Sequence, residues 1–189
     1  MAIEGSLIRH ISRVLSSRQY KTILDPAATA SAVLVLLLEK QGKYHVLLTR
    51  RSKQVAHHKG EISFPGGRAD AQDRDLLDTA LRECHEEIGL RREDVKILGR
   101  LDDVRTLTTG FVITPHVGVI NYPYPFRVNS KEIDTLIFVP IHVLNALTNP
   151  CGQTSSHEAS CPSVSYQGHE IWGATARILR QFLQLICLP

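Results

Sequence analysis

Residues 82–90 of the chain read RECHEEIGL and carry its strongest structural signal. On an α-helix, Glu83 and Glu87 would lie about 40° apart and about 6 Å apart along the axis, with Glu86 about 60° to the other side of Glu83. Like charges at these spacings each cost about 0.2–0.5 kcal/mol on an isolated helix. Arg82 can pair with Glu86 and offset part of this cost. Three carboxylates on one arc are therefore unusual for a helix that serves stability alone.

A divalent cation on this arc would remove the repulsion between the carboxylates. Mg²⁺ prefers hard oxygen ligands, usually one or two carboxylates together with water and substrate phosphates. Residues 64–67 (FPGG) stand upstream of the helix, and a turn rich in glycine can bring a backbone carbonyl close to side chains. A solvated acidic face is the alternative explanation, but the FPGG turn favours a metal site.

Residues 67–90 (GRADAQDRDLLDTALRECHEEIGL) resemble the Nudix box of Nudix hydrolases, G-x5-E-x7-R-E-U-x-E-E-x-G-U, in which U is a bulky apolar residue. The second half matches throughout, with Cys84 at the first apolar position. The first half differs, because Gly67 and Arg82 are one residue further apart than in the pattern and the usual glutamate is absent. Three aspartates are candidates to replace it: Asp70, Asp73 and Asp75.

The resemblance implies an α/β fold, namely a Nudix-type α/β/α sandwich with a mixed β-sheet, and metal-dependent hydrolysis with Mg²⁺ or Mn²⁺. Glu83 and Glu87 would be metal ligands, with the backbone carbonyl of Gly67 beside them. Glu86 would be a third ligand or the general base, and Arg82 would orient the carboxylates. Other candidates for the base lie outside the box: Glu132, Asp134 and Glu158.

Further segments resemble the coenzyme A pyrophosphatase branch of this family. Residues 47–52 (LLTRRS), Gly60 and FPGG are similar to the motif that precedes the box in that branch, with Ala56 where many members carry arginine. Residues 129–133 (NSKEI) and 169–176 (HEIWGATA) resemble its middle and closing signatures. The resemblance implies cleavage of coenzyme A or acyl-coenzyme A into 3′,5′-ADP and (acyl-)phosphopantetheine.

Basic residues cluster around the FPGG turn, where the phosphates of such a substrate would bind. Arginine suits bidentate phosphate contacts, and lysine acts as a point charge. The expected substrate-binding residues are Arg50, Arg51, Lys53, Lys59 and Arg68. His57 and His58 lie in the same stretch without an assigned role, and a solvated basic loop is the alternative explanation. Trp172 is expected to anchor the last helix by packing rather than to stack on adenine.

Two other functions are compatible with the same motifs. A Nudix pyrophosphatase could act on NADH, ADP-ribose or a nucleoside diphosphate sugar, and a non-catalytic Nudix module could bind a nucleotide and regulate a partner. The intact glutamates and Arg82 of the box favour an enzyme. Nucleic acid is not expected as a partner, because the net charge is only +3 and the strands are not rich in aromatic residues.

The remaining pattern predicts a single domain over residues 1–189, in which helices cover both faces of a mixed sheet. The N-terminal segment 1–24 is expected to carry an amphipathic helix at residues 5–18, and residues 148–165 a flexible loop. Periodicity and turn residues predict strands at 32–38, 44–49, 62–64, 95–98, 112–120, 133–139 and 164–166, and helices at 76–88, 140–147 and 174–186.

Cysteine usage and hydropathy predict a soluble cytoplasmic protein. No C-x-x-C spacing occurs among the four cysteines Cys84, Cys151, Cys161 and Cys187. A metal or disulfide clip around His157 is the less favoured alternative. The longest apolar run, residues 28–38, is far shorter than the roughly 20 residues that span a bilayer, so no membrane partner is expected. We expect a monomer or homodimer that acts on a small molecule.

Overall fold

The computed structural model describes residues 5–52, 60–148 and 163–186. Its strands are Thr29–Lys40 (β1), Lys43–Arg51 (β2), Ile62–Ser63 (β3), Gly66–Arg68 (β4), Lys96–Arg100 (β5), Val104–Arg105 (β6), Phe111–Val119 (β7), Ile133–Pro140 (β8), Val164–Tyr166 (β9) and His169–Ile171 (β10). Its helices are Ser6–Ser17 (α1), Leu76–Ile88 (α2), Ile141–Leu144 (α3) and Gly173–Ile186 (α4), and 3-10 turns lie at Arg92–Asp94 and Asn145–Thr148.

A mixed sheet of eight strands forms the centre of the molecule. β1 and β2 form the hairpin that the sequence predicts, and β1 pairs in parallel with β7 along its other edge. β8 pairs with β2, and β5 and β6 pair with β7, all antiparallel. β9 and β10 form a separate antiparallel hairpin. The mixed sheet of the expected fold class is therefore confirmed.

β3 and β4 form a wedge between β1 and β2 where these two strands separate. β1 pairs with β2 along residues 36–40 and with β4 along residues 31–33. β2 pairs with β3 at residues 49 and 50 on the edge that faces β1, because β8 occupies its other edge. The carbonyl of Pro65 accepts a hydrogen bond from the Leu34 N–H at 2.9 Å. Two strands of the central sheet therefore hold the FPGG turn.

Both faces of the sheet are covered. Leu34, Leu36 and Leu38 of β1 are buried in the cluster that includes α2. Val35 and Leu37, which alternate with them, are buried in the cluster that includes α1 and α4. A strand buried on both faces reads as a nearly continuous apolar run, which explains the composition of β1. The expected α/β/α arrangement is confirmed.

α2 begins and ends where its sequence supplies caps. The Asp75 carboxylate accepts a hydrogen bond from the Asp78 N–H at 2.7 Å. Gly89 adopts a left-handed conformation with φ 68°, and its N–H donates to the His85 carbonyl at 3.0 Å. Glycine adopts this conformation without the strain that a side chain would add. The helix predicted at residues 76–88 is confirmed, and its ends are fixed beside the wedge.

Three predicted boundaries differ from the structure. α1 spans Ser6–Ser17, one residue shorter at each end than the predicted helix at 5–18, and in the rest of segment 1–24 the Lys21 N–H donates to Asp102 and the Lys21 carbonyl accepts from the Asp103 N–H. The helix expected at 140–147 is a single α-turn followed by a 3-10 turn. Residues 164 and 165 belong to β9 rather than to the expected loop, and 149–162 lie outside the described residues. In the described parts, no helix combines the length and hydropathy needed to cross a membrane.

Candidate active site

α2 and the β3–β4 wedge meet at Glu83. A β-carbon added to Gly67 would come within 2.5 Å of the Glu83 Cδ, a distance that real β-carbons essentially never show. A side chain at position 67 would therefore displace the Glu83 carboxylate. Burial raises the pKa of Glu83, and the Arg82 guanidinium partly opposes this effect. The structure thus places the Gly67 backbone directly against a largely buried carboxylate.

Glu87 is the most buried of the three carboxylates, with only 3% of its surface exposed. Its Oε2 accepts a hydrogen bond from the Gly66 N–H at 3.1 Å, and its Oε1 lies 3.9 Å from Arg51 Nη1. Burial raises the pKa of Glu87 to about 8, although the Gly66 N–H and the Arg51 charge lower it. The charges of Glu83 and Glu132 raise this pKa further. A cation beside Glu87 would favour its ionised form.

Arg82 connects the carboxylates of α2 to the loop before the helix. Its Nε and Nη2 donate to the two carboxylate oxygens of Asp73 at 2.8 and 3.0 Å. Its Nη1 donates to Glu83 at 2.7 Å and to Glu86 at 3.3 Å. The Arg82 guanidinium holds the pKa of the Asp73 carboxyl well below its usual range. Arg82 is therefore positioned to orient Glu83 and Glu86 together.

Asp73 takes the place of the glutamate that is missing from the box. It stands as far after Gly67 as the glutamate does in the G-x5-E pattern, and its carboxylate is buried against Arg82. Asp75 instead caps α2, and Asp70 accepts a hydrogen bond from the Gln72 N–H within a turn. The additional residue of this box therefore falls between Asp73 and Arg82.

A turn at residues 129–133 brings one acidic residue from outside the box toward the carboxylates. The Asn129 N–H donates to the Glu87 carbonyl at 2.9 Å, and Asn129 Nδ2 donates to Glu132 Oε1 at 2.9 Å. The Glu132 charge contributes to the raised pKa values of Glu83 and Glu87. Glu132 is thus held close to the pair on α2.

The donor set fits a hard divalent cation. Glu83 and Glu87 supply carboxylate oxygens, and the Gly67 backbone lies beside Glu83. Over the described residues, no three His, Cys, Asp or Glu side chains are gathered into a complete metal cage. Mg²⁺ typically binds one or two carboxylates and completes its shell with water and substrate phosphates. Glu86, 51% exposed at its side chain, lies further out on the same arc.

Two clefts adjoin the wedge. The first, of about 640 Å³ and here named the apolar cleft, has mostly apolar walls: Val33, Ile62, Phe64, Phe111, Ile113 and Trp172. The second, of about 690 Å³ and here named the polar cleft, has mostly polar walls: Arg50, Ser52, Asp134, Gly168, His169 and Glu170. Arg51 and Trp172 line both clefts. Glu61 and Ile62 also line both clefts, so Arg51, whose Nη1 lies 3.9 Å from Glu87 Oε1, lies where the clefts meet.

Comparison with known proteins gives the family of the chain. The model of the NUDIX domain matches residues 28–152. The chain belongs to the Nudix hydrolase family. The Nudix hydrolase NudL of Yersinia pestis (strain Pestoides F) is 34% identical over 146 residues, which are 76% of this chain and 73% of that protein. Nudix hydrolases generally need a divalent metal ion, typically Mg²⁺, and act on small nucleotide derivatives.

Solved structures of other Nudix proteins share the fold. A MutT/nudix family protein from Enterococcus faecalis superposes with a TM-score of 0.53 at 13% identity, covering 97% of this chain and 75% of that chain. The Nudix hydrolase RenU from M. smegmatis superposes with a TM-score of 0.51 at 22% identity, covering 61% of this chain and 72% of that chain. The resemblance of residues 67–90 to the Nudix box therefore identified the correct family.

The substrate-binding residues expected in this Nudix hydrolase are distributed over the two clefts. Arg68 lines the apolar cleft and Arg50 the polar cleft. Arg50 also forms an ion pair with Asp134, one of the candidates for the base. The Arg68 backbone carbonyl accepts a hydrogen bond from Arg82 Nη2 at 3.1 Å. Three expected or candidate site residues, Lys53, Lys59 and Glu158, lie outside the described parts of the chain, as do His57 and His58, which have no assigned role.

The expected packing role of Trp172 is wrong. Its side chain is 54% exposed and stands between the two clefts of the Nudix hydrolase. The start of α4 is anchored instead by Thr175, whose hydroxyl donates to the Ile62 carbonyl at 3.0 Å. Trp172 precedes Gly173, the first residue of α4, so the indole projects from the end of the helix rather than from its buried face.

Sequence reasoning missed the residues that support the site from a distance. Asn129 holds Glu132, and the polar motif NSKEI between two strands was the signal for such a turn. Ile113 lies in the strand predicted at residues 112–120 and Phe111 lies just before it, and neither was expected to line a cleft. β7 has two faces, and its pairing with β1 determines which of them borders a cleft. No local sequence pattern shows this pairing.

Proposed function

We propose that this Nudix hydrolase cleaves the pyrophosphate of coenzyme A or acyl-coenzyme A, giving 3′,5′-ADP and (acyl-)phosphopantetheine. The observation that carries the proposal is the position of Arg51. It lies beside Glu87 and lines both clefts, and its Nε is buried with no hydrogen-bond partner among the described residues. The Arg51 side chain is 28% exposed and borders the clefts, and a guanidinium in this position suits phosphate oxygens. A substrate with a central pyrophosphate and two different ends fits clefts that meet at one arginine.

Glu83 and Glu87, with the Gly67 carbonyl, would hold Mg²⁺ or Mn²⁺. When bound, such an ion polarises phosphoryl oxygens and neutralises part of their charge. The protein itself keeps the carboxylates in place, because the Gly66 N–H donates to Glu87 and Arg82 donates to Glu83. Positioning and charge neutralisation supply most of the rate in phosphoryl transfer.

Glu86 is our first candidate for the base that takes a proton from the attacking water. It is exposed, and Arg82 holds it on the same arc as the metal ligands. Glu132, which Asn129 positions, is the alternative from outside the box. We expect Glu86→Gln to remove the rising limb of the pH–rate profile and Glu132→Gln to retain it. The opposite result would assign the base to Glu132.

Arg50 is placed to bind the 3′-phosphate that distinguishes coenzyme A from many other nucleoside diphosphate derivatives. It pairs with Asp134 in the polar cleft, and the two side chains are 37% and 47% exposed. Exposed ion pairs contribute only about 0–1 kcal/mol, so a phosphate dianion can replace the carboxylate. We assign Lys53, Lys59 and Arg68 to the remaining phosphate oxygens on the strength of the family resemblance.

The direct test is hydrolysis of coenzyme A beside NADH and ADP-ribose, with Mg²⁺ or Mn²⁺ and products identified by mass. We expect 3′,5′-ADP and phosphopantetheine to be released much faster than any product of the other two compounds. Turnover of only another compound would overturn the substrate assignment and leave the metal site in place. Nucleotide binding without any turnover would favour a non-catalytic module.

A further inference from the structure

The proposed reaction uses the carboxylates and the arginines and leaves the apolar cleft without a role. The walls of this cleft come from elements far apart in the sequence. Val33 lies on β1, Phe111 and Ile113 lie on β7, and Ala174 lies in the first turn of α4. Gly67 of the wedge also borders the cleft. The cleft therefore extends from the candidate active site along the face of the sheet that α4 covers.

Two hydrogen bonds hold opposite walls of the apolar cleft in place. The Thr175 hydroxyl donates to the Ile62 carbonyl at 3.0 Å and fixes the start of α4 against β3. The Phe111 N–H donates to the Thr106 hydroxyl at 2.9 Å and fixes the start of β7. A cleft that exists before its ligand arrives loses less conformational freedom on binding. The apolar cleft is therefore held in its shape before a ligand binds.

The two clefts differ in chemistry on either side of Trp172. Arg50, Asp134 and His169 give the polar cleft charged and hydrogen-bonding groups. The apolar cleft offers mainly hydrocarbon and aromatic surface next to the shared Arg51. A ligand that occupies both clefts must carry a charged end and an apolar end, joined near its phosphates. An acyl-coenzyme A has this distribution.

We propose, building on the function proposed above, that the apolar cleft binds the acyl-pantetheine arm and that Trp172 separates this arm from the nucleotide in the polar cleft. The cleft volume of about 640 Å³ falls within the range of roughly 300–1,000 Å³ that small-molecule sites occupy. Each methylene buried there strengthens binding by about fourfold. Medium-chain acyl thioesters therefore bind more tightly than the free thiol.

Calorimetric titration with S-octanoyl-pantetheine tests the cleft without any chemistry. Thr109→Trp places a large side chain on the cleft lining, and Thr108→Trp, one position away and outside the lining, is the matched control. Both positions are exposed, and Thr109 supplies only a hydroxyl hydrogen bond to Thr106 at 2.9 Å. Circular dichroism and thermal melts of both variants establish that they are folded.

We expect S-octanoyl-pantetheine to bind the wild type and Thr108→Trp alike, and to bind Thr109→Trp at least about tenfold more weakly. Pantetheine without the acyl group should bind the wild type more weakly than its octanoyl derivative. Absence of octanoyl-pantetheine binding to the folded wild type, or equal affinities of the two variants, would overturn the proposal.

Hydrolysis assays separate this inference from the proposed function. We expect the wild type to have a lower KM for octanoyl-coenzyme A than for coenzyme A, and Trp172→Ala to reduce this preference more than Trp172→Phe does. Cleavage of coenzyme A without an acyl preference overturns the inference and leaves the proposed function intact. Binding of S-octanoyl-pantetheine without cleavage of any coenzyme A compound supports the cleft assignment and overturns the proposed function.

Discussion

The carboxylate site on α2 and the two clefts around Trp172 are built in opposite ways. Gly67, Asp73, Arg82, Glu83 and Glu87 lie within one short stretch of chain. The Gly67 backbone lies against Glu83, Arg82 donates to Asp73 and Glu83, and Glu87 accepts from the Gly66 N–H. The cleft walls come from β1, β3, β7, β10 and α4, and the indole between the clefts is half exposed. The carboxylate site is therefore specified mainly by local sequence, whereas the clefts depend on tertiary structure.

Among these predictions, we expect the largest effect from the loss of one carboxylate of the α2 site. We expect Glu87→Gln to lower kcat by about 10²–10³-fold or more, because it removes a buried metal ligand. The amide still accepts the hydrogen bond from Gly66, so the unfolding temperature should not fall. Steady-state kinetics and thermal melts, with the exposed Glu39→Gln as control, measure both quantities. Undiminished turnover at saturating Mg²⁺ would refute the metal assignment.

Substitution of Asp73 tests whether the carboxylate site depends on the ion pair between Asp73 and Arg82. We expect Asp73→Asn to lower kcat by about 10–100-fold, as loss of a group that orients metal ligands commonly does. KM should change little, because Asp73 does not line either cleft. Asp73→Glu restores the charge and should recover much of the activity. If kcat is unaffected by Asp73→Asn, Arg82 does not need this partner to orient Glu83.

Substitution of Arg50 tests the contribution of the polar cleft to KM. We expect Arg50→Ala to raise KM for coenzyme A by about tenfold, the effect of losing a charge-assisted hydrogen bond. KM for dephospho-coenzyme A, which lacks the 3′-phosphate, should remain unchanged, and kcat should remain similar for both. Arg74→Ala removes another exposed, paired arginine and serves as control. Equal losses with both substrates would exclude a 3′-phosphate contact.

We expect His116→Gln to change how the free energy of unfolding depends on pH and to leave activity at neutral pH unchanged. It lies on β7 beside Leu34, on the face of the sheet that α2 covers. Burial, assisted by the Arg100 charge, lowers the pKa of His116 to about 4. The unfolded chain takes up this proton near pH 6.5, so stability falls as pH drops from about 6.5 to 4, by up to about 3 kcal/mol.

Chemical denaturation at several pH values measures this effect. His116→Gln should lose less stability than the wild type between pH 7 and pH 4, and the exposed His142→Gln should follow the wild type. Parallel curves for wild type and His116→Gln would show that this imidazole does not contribute to acid unfolding.

Local patterns predicted the parts of the molecule that local interactions determine. Gly89 and the apolar period before it predicted α2, and two β-rich runs separated by a turn at Gly42 predicted the β1–β2 hairpin. The spacing of RECHEEIGL placed the carboxylates on one arc. The choice among three aspartates was open, because only the structure shows which one reaches Arg82.

Non-local pairings explain what the sequence could not predict. The insertion of β3 and β4 between β1 and β2 depends on where those strands separate. The exposure of Trp172 depends on how α4 meets β3, and an apolar residue beside a helix is more commonly buried. The contacts of the segment after α1 with Asp102 and Asp103 likewise join residues about 80 positions apart.

The parallel pairing of β1 with β7 has a consequence for biosynthesis. Thr29 pairs with Phe111, a partner that the ribosome makes about 80 residues later, which at roughly 5–20 residues per second takes several seconds. Before that interval ends, β2, the wedge and α2 have been made and can pack against β1, whereas the other edge of β1 still has no strand to pair with. An unpaired apolar edge promotes aggregation. A chain truncated after α2 would therefore carry the three carboxylates of α2 and leave one edge of β1 open to aggregation.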